Sequence, residues 1–368
     1  MDLDKMLMDA PRSMLQKASE EPRIDGTVDL RRARQLDVSR DTYLEAEARG
    51  LTVSELLETD DYDPSPVHSP LDAFERQLAA RGVRVGGSRP ITVELFLRAA
   101  PALLPEFMMR EIRRGMEMRP ELAGLVGSSS TISSNRYTPF DINSDTDDAQ
   151  WSLRPVGDGA NVPAVVVTER LHSIDVQDYG LALKASYKAL RHRTTAQFKV
   201  LLWYIGYRMQ VDKLGLLVDV LINGDGNDNA ATVINTAASG TLAYADLVSF
   251  WSELHPFEMN TLIVSKAKVN SILTMAEFKD PLAGFKFQGT GELVSPLGAT
   301  LVRSDEVATD LVIGMDKRFA AEEVITQPLT VEYDKIIDQR FEEAVISESV
   351  AYAKMVPGAV KVLDSVWT

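Results

Sequence analysis

The chain has 368 residues, 45% hydrophobic and 25% charged, with 39 basic against 54 acidic side chains and a net charge of −15. That composition is too apolar for wholesale disorder, and the length suits two or three domains. The acid excess argues against a protein built to grip nucleic acid, and the absence of cysteine removes disulfides, thiolate catalysis and zinc–sulfur sites. No run of about 18 apolar residues exists, which excludes a membrane-spanning helix. The first residues, MDLDKMLMDAPR, carry acids where a signal peptide needs bases.

Charge is acidic in both halves, with one exception. Between Asp178 and Asp212 no acid occurs, while Lys184, Lys188, Arg191, Arg193, Lys199 and Arg208 do. No lysine lies between Lys17 and Lys184.

Residues 1–125 read as short helices in series. DTYLEAEAR stops at Gly50, which tolerates the left-handed conformation after a helix. Thr52 and Glu55 have capping-box spacing for TVSELLE. DDYDPSPVHSP, residues 60–70, is linker chemistry. Ser69 and Pro70 then suit the start of PLDAFERQLAAR, which Gly82 closes. Leu71, Phe74 and Leu78 give that helix one apolar stripe. A further helical stretch, about Thr92 to Met118, is expected to break at Pro101 and Pro105. Such helices form either an arm laid over another body or a small helical domain.

Residues 125–150 turn to Ser, Thr, Asn and Asp, which is loop chemistry. Two strand-like runs follow, about Trp151 to Val156 and Pro163 to Leu171, around Gly157-Asp158-Gly159, and predict a hairpin. Residues 194–222 are the clearest helix, with Phe198, Leu202, Ile205 and Met209 on one face and Leu217 and Leu221 continuing it. Ile222-Asn223-Gly224-Asp225-Gly226 stops it. TLAYADLVSFWSEL and KAKVNSILTMAEF then read as helices, and NTLIVS, ATLVRS and DLVIGMD as strands. From Leu329 to Leu363 the pattern is strand-rich, with period-2 runs in LTVEY and EEAVISESVAYA.

The chemistry of common active sites is missing from the sequence. His68, His172, His192 and His255 show no metal-ligand spacing. Gly289-Thr290-Gly291 begins a dinucleotide fingerprint, but Val294 stands where the third glycine belongs. Asp225, Asn227 and Asn229 imitate the start of a calcium loop, yet Ala230 and Thr236 occupy its glycine and glutamate positions. A turn after a long helix is the better reading. Asp141, Asp145, Asp147 and Asp148 form an acid cluster, read either as a solvated loop or as a docking patch for arginines, or a divalent-ion site, between subunits. The basic stretch is read either as cations paired with nearby acids or as a face toward a polyanion. Trp151, Trp203 and Trp251 are candidate anchors, with core the preferred place for Trp203 and Trp251.

The order of parts resembles the major capsid protein of tailed bacteriophages, a fold shared with encapsulins and the floor of herpesvirus capsids. The resemblance covers about residues 85–365. LLVDVLINGDG is similar to the end of the family's spine helix. VEYDKIIDQRFEEAVISESVAYAKMVPGAVKVLD is similar to its C-terminal return, and ALLPEFMMREIRRGME to the arm segment ahead of the extended loop. TYLEAEARGLTVSELLE and DAFERQL are similar to N-terminal arms of some members.

The resemblance implies an α+β fold with a helical N-terminal arm at 1–125. It implies an extended loop hairpin and first peripheral strands at 126–193, and a spine helix of the peripheral domain at 194–223. The axial domain follows at 224–326, and a C-terminal return through the peripheral domain at 327–368. The implied function is self-assembly into hexamers and pentamers of an icosahedral shell around double-stranded DNA, in a virion assembled in the host cytoplasm. No catalysis, cofactor or metal is implied. Partners are the chain itself, scaffolding, portal and cement proteins, and weak non-specific contact with DNA, without a membrane. An encapsulin-type compartment with protein cargo is the alternative, and a cytosolic α/β enzyme a remote one.

Some family members weld their shells through a lysine of the extended loop and an asparagine of a neighbour. Here the hairpin from Trp151 to Ile174 holds Arg154 and Arg170 but no lysine, and arginine stays protonated. A non-covalent shell with an uncleaved arm is expected. Asp141, Asp145, Asp147, Asp148, Trp151, Arg154 and Arg170 are the candidates for docking between subunits. Lys184, Lys188, Arg191, Arg193, Lys199 and Arg208 are the candidates for a lumen-facing patch.

Overall fold

The structure is a computed structural model and describes residues 35–59, 71–83, 90–142, 155–159, 161–162, 168–279, 296–336, 338 and 340–367. Calls on residues outside these ranges, Ser69 and Pro70 among them, lie outside the described residues.

In chain order, α1 (Arg40–Ala48) ends before Gly50, whose φ of 68° is left-handed. Helix α2 (Val53–Leu57) has the expected capping box. Thr52 Oγ1 accepts from the Glu55 N–H, and the Glu55 carboxylate accepts the Thr52 N–H at 2.7 Å. Helix α3 (Ala73–Ala80) is capped by Asp72, which accepts the Glu75 N–H at 2.7 Å. The cap thus falls later than the Ser-Pro pair suggests, at a carboxylate that suits a helix N-terminus. Helix α4 (Val93–Ala99) and α5 (Leu104–Glu117) are separated at Pro101, as expected. Pro105 does not break the chain, because the first helical turn tolerates proline.

Strand β1 (Ser128–Thr131) lies in the stretch expected to be loop. It pairs in parallel with β11 (Ala321–Ile336), and Ser130 Oγ donates to Glu322 at 2.8 Å. Serine is a poor strand former alone; here the partner strand supplies the ladder and the side-chain acceptors. Short strands β2 (Arg136–Tyr137) and β3 (Phe140–Asp141) pair antiparallel with β5 (Ile174–Asp175) and β4 (Thr168–Glu169). They form the described base of a two-stranded ribbon. The ribbon is therefore rooted earlier than Trp151.

Strand β6 (Gln177–Ser186) leads through α6 (Tyr187–Arg191) into α7 (Thr195–Asn223), a helix of 29 residues and about 44 Å at 1.5 Å per residue. Strand β7 (Thr232–Asn235), α8 (Tyr244–Glu253), β8 (Thr261–Val264), α9 (Lys266–Leu273), β9 (Thr300–Arg303) and β10 (Leu311–Met315) follow. The chain ends through β11, β12 (Phe341–Lys354) and β13 (Val360–Asp364).

Packing divides the chain into two units. The first holds the described parts of 1–111 with 182–202 and 331–345. The helices expected as an arm have a core of their own there: Leu56, Leu57, Phe74, Phe96, Leu103 and Met108 are buried. Phe96 and Phe107 meet edge to face at 5.1 Å, and Arg110 lies 4.9 Å over Phe74 while pairing with Asp72. Backbone bonds from Val93 to Arg193 and from Thr195 to Ile91, both 2.9 Å, tie the start of α4 to the start of α7.

The second unit holds 112–181, 203–330 and 346–368. Its centre is a five-stranded sheet of order β7-β13-β10-β8-β9. Period-2 alternation explains its two cores. Leu262, Val264, Leu301, Val312 and Leu363 face Leu247, Phe250 and Ile272 of α8 and α9. Ile263, Val302, Ile313 and Val362 face Leu214, Leu217, Val218 and Leu221 of α7. The last strand, β13, expected to stay with the C-terminal return, sits between β7 and β10 in this sheet. In this position both faces of its VKVL run are covered, with Val362 in one core and Leu363 in the other.

Gly115 and Gly206 let α5 and α7 cross closely. A Cβ at Gly206 would run into the Ile112 carbonyl, and one at Gly115 would lie 2.6 Å from Trp203 Cα. The second sheet has the order β1-β11-β12-β6. Among the described residues no helix is long and apolar enough to cross a membrane.

Candidate assembly surfaces

The ribbon spanning β2 to β5 is tied at its root by buried polar groups. Arg170, its side chain 5% exposed, donates from Nη1 to Asp225 Oδ2 at 3.1 Å and from Nη2 to the Met355 carbonyl at 2.8 Å. The Asp225 carboxylate is fully buried. It also accepts the Lys354 N–H at 2.9 Å and the side-chain amides of Asn227 and Asn229 at 3.0 and 2.9 Å. Asn227 Oδ1 accepts the His172 N–H at 2.9 Å. Lys354, itself buried, donates from Nζ to the carbonyls of Leu221 and Asn229 at 3.2 and 2.9 Å. Carbonyls at a helix C-terminus suit a cation. Tyr137 donates to Glu322 at 2.6 Å and Arg136 to Asp175 at 2.9 Å.

The turn after α7 therefore serves as a clamp. Asp225, Asn227 and Asn229 share the calcium-like spacing, but here the two asparagines donate to Asp225, which pairs with Arg170. Gly224, at φ 83°, is required because a Cβ there would crowd the Asn229 side chain. Among the described residues no group of three or more His, Asp or Glu side chains could hold a metal ion.

Beside this root and along the described part of the ribbon, apolar side chains are exposed. Phe140 is 61% exposed, Val162 75% and Leu171 89%. Among the described residues nothing covers them, whereas the Arg170 and Asp225 side chains and Lys354 at the clamp are buried.

Of the docking candidates, Asp141 is exposed on β3. Arg170 is held inside the chain by Asp225, so its charge is not offered to a neighbour. Asp145, Asp147, Asp148, Trp151 and Arg154 lie outside the described residues. Trp203 is half-buried and Trp251 is 48% exposed, so Trp251 is not a core anchor. Its neighbour Phe250 takes the inward position on α8 instead.

The basic stretch is largely paired. Lys184 meets Glu343 at 3.1 Å, Arg191 Glu94 at 3.8 Å, Lys199 Glu111 at 2.9 Å and Arg208 Asp212 at 3.3 Å. Lys188 and Arg193 are exposed and make no ion pair among the described residues.

Besides Lys354, a further buried lysine is missed by the sequence. Lys213 of α7 bridges Glu323 at 3.0 Å and Glu348 at 2.8 Å, and Tyr352 donates to Glu323 at 3.2 Å. Burial pulls the Lys213 ammonium down, but the two carboxylates outweigh it and hold the amine above its ordinary range. The only sequence signal was a lysine on the apolar side of a helix, which carries no partner's name.

No family model matches the sequence, and no curated protein matches it. Solved structures do. The capsid of a native GTA particle aligns with a TM-score of 0.51 at 14% identity, covering 67% of this chain and 90% of that one. A virus-like particle from Pyrococcus furiosus aligns at 0.48 and 12%, covering 70% and 98%. The holo-SrpI encapsulin complex from Synechococcus elongatus aligns at 0.48 and 12%, covering 67% and 88%. At such identities the likeness concerns fold, and the GTA capsid is the one of these three that carries it. With its long helix, rooted ribbon and doubly covered sheet, the chain has the major-capsid-type α+β fold.

Proposed function

We propose that this chain is a major capsid protein that self-assembles into hexamers and pentamers of an icosahedral shell enclosing double-stranded DNA. The observation that carries the reading is the ribbon: its root is fixed by a buried ion pair, while Phe140, Val162 and Leu171 stay in water. Apolar side chains left in water beside a fixed root are completed when a neighbouring copy covers them. The likeness in fold to a particle's capsid supports the same reading.

The shell is held without covalent cross-links, because no lysine lies between Lys17 and Lys184 to attack a neighbour's asparagine. Contact with DNA is weak, since four of the six bases in 184–208 already face carboxylates of the chain. Expressing the chain and imaging the product tests this reading. Closed particles holding nuclease-protected DNA, and a single monomer band after boiling in SDS, are expected. Particles filled with protein instead of DNA would make it an encapsulin-type compartment, and a multimer ladder would overturn the non-covalent shell.

A further inference from the structure

The first unit carries a groove of about 360 Å³ that the shell reading leaves unused. Leu183, Ala185, Ala189, Leu190, Phe198 and Leu201 make its apolar walls, and Arg193 and Gln197 its polar rim. Leu201 is 42% exposed, and Val200 and Tyr204 beside it on α7 are 58% and 62% exposed, so the apolar surface is a patch rather than one side chain. Arg193 and, on α6, Lys188 are the two cations of the stretch without an ion pair among the described residues. A polyanion would use the cations but has no use for the apolar floor. The occupant that fits is an apolar stripe flanked by acids.

The chain contains such a segment. In Met1–Ala10, Leu3, Met6, Leu7 and Ala10 recur at i, i+3, i+4 and i+7, one face of a helix. Asp2, Asp4 and Asp9 flank that stripe, against the single base Lys5. The 25 residues from Ala10 to Gln35 span up to about 80 Å when extended, so the segment reaches the groove on its own or an adjoining copy. We infer that the N-terminal segment Met1–Ala10 docks, apolar stripe down, into the groove between α6 and the start of α7, with its aspartates on Lys188 and Arg193. Helix-in-groove docking of this kind draws affinity from the stripe and register from the charges.

The chain has no cysteine, which makes a clean test possible. Full-length, unassembled Ala10→Cys/Leu201→Cys protein is treated with a bifunctional maleimide, and the linked peptides are identified by mass. A link between positions 10 and 201 is expected, well above that in an Ala10→Cys/Ser252→Cys control. Reversing Lys188 and Arg193 to Glu should lower the yield roughly tenfold, the size that two exposed charge contacts allow. Changing Asp2, Asp4 and Asp9 to Lys should restore it. Equal thermal midpoints for all variants keep misfolding out of the result. Yields no higher than the control, or insensitive to charge reversal, would overturn the proposal. So would a link between two copies of position 201, which would make the groove a copy-to-copy contact. Because the test uses unassembled chain, it stands or falls apart from the shell reading.

Discussion

The five-stranded sheet and the ribbon belong to the same unit and solve opposite problems. The sheet is finished within the chain: alternate residues of β8, β10 and β13 enter two cores, and both faces are covered by helices. The ribbon is finished only at its root. Arg170, Asp225 and Lys354 hold it, while Phe140 and Leu171 remain in water. On the proposed shell reading, the difference separates residues that make the monomer stable from residues that a neighbouring copy would cover.

The largest effect is expected at the root. Asp225→Ala leaves the Arg170 guanidinium buried without its carboxylate and should cost about 3–5 kcal/mol in urea unfolding. A loss under about 1 kcal/mol would mean that the clamp does not hold the ribbon. In the sheet, Ile313→Ala removes a fully buried side chain between β8 and β13 and should cost about 2–5 kcal/mol, with no effect on assembly beyond that lost stability.

A pH series sharpens the contrast between satisfied and unsatisfied carboxyls. Burial pushes Asp316 up, but the bonds from Arg318, Asn260 and the Glu258 N–H outweigh it and hold the carboxyl below its ordinary value. Its contribution is present above the ordinary aspartate range and is lost as pH falls through the depressed value. Burial raises Glu342, whose Oε1 lies 3.8 Å from Lys335 Nζ and whose Oε2 has no hydrogen-bond partner among the described residues. Its sign is reversed: stability is greatest below the ordinary glutamate value and declines as pH rises through the raised one. Thermal midpoints of Asp316→Asn should therefore show a shallower acid-side slope than the parent protein, and those of Glu342→Gln a shallower decline above about pH 4.5. Unchanged profiles would contradict both assignments. The smallest effect on the monomer is expected for Leu171→Ser, within about 0.5 kcal/mol, because that side chain is 89% exposed.

Periodicity made much of the fold legible. The α7 stripe, the capped short helices and the alternation of β8, β10 and β13 are local patterns, and local patterns survive in a single sequence. Pairing across distance does not. Ser128–Thr131 looks like loop until β11 lies beside it, and Val360–Asp364 gives no hint that its neighbours are β7 and β10. The site was legible by halves. Asp225 and Arg170 were both noticed, one as a turn residue and one as a docking arginine, but 55 residues separate them and only the fold shows that they are partners. Lys213 and Lys354 drew no attention, since burial of a lysine is visible only in three dimensions.

The central claim is that the ribbon's exposed apolar residues are completed by another copy. The chain's lack of cysteine allows Leu171→Cys to report on it alone. Maleimide labelling of this variant should be fast in unassembled chain and strongly slowed in purified particles. Equal labelling rates in both states would contradict the account.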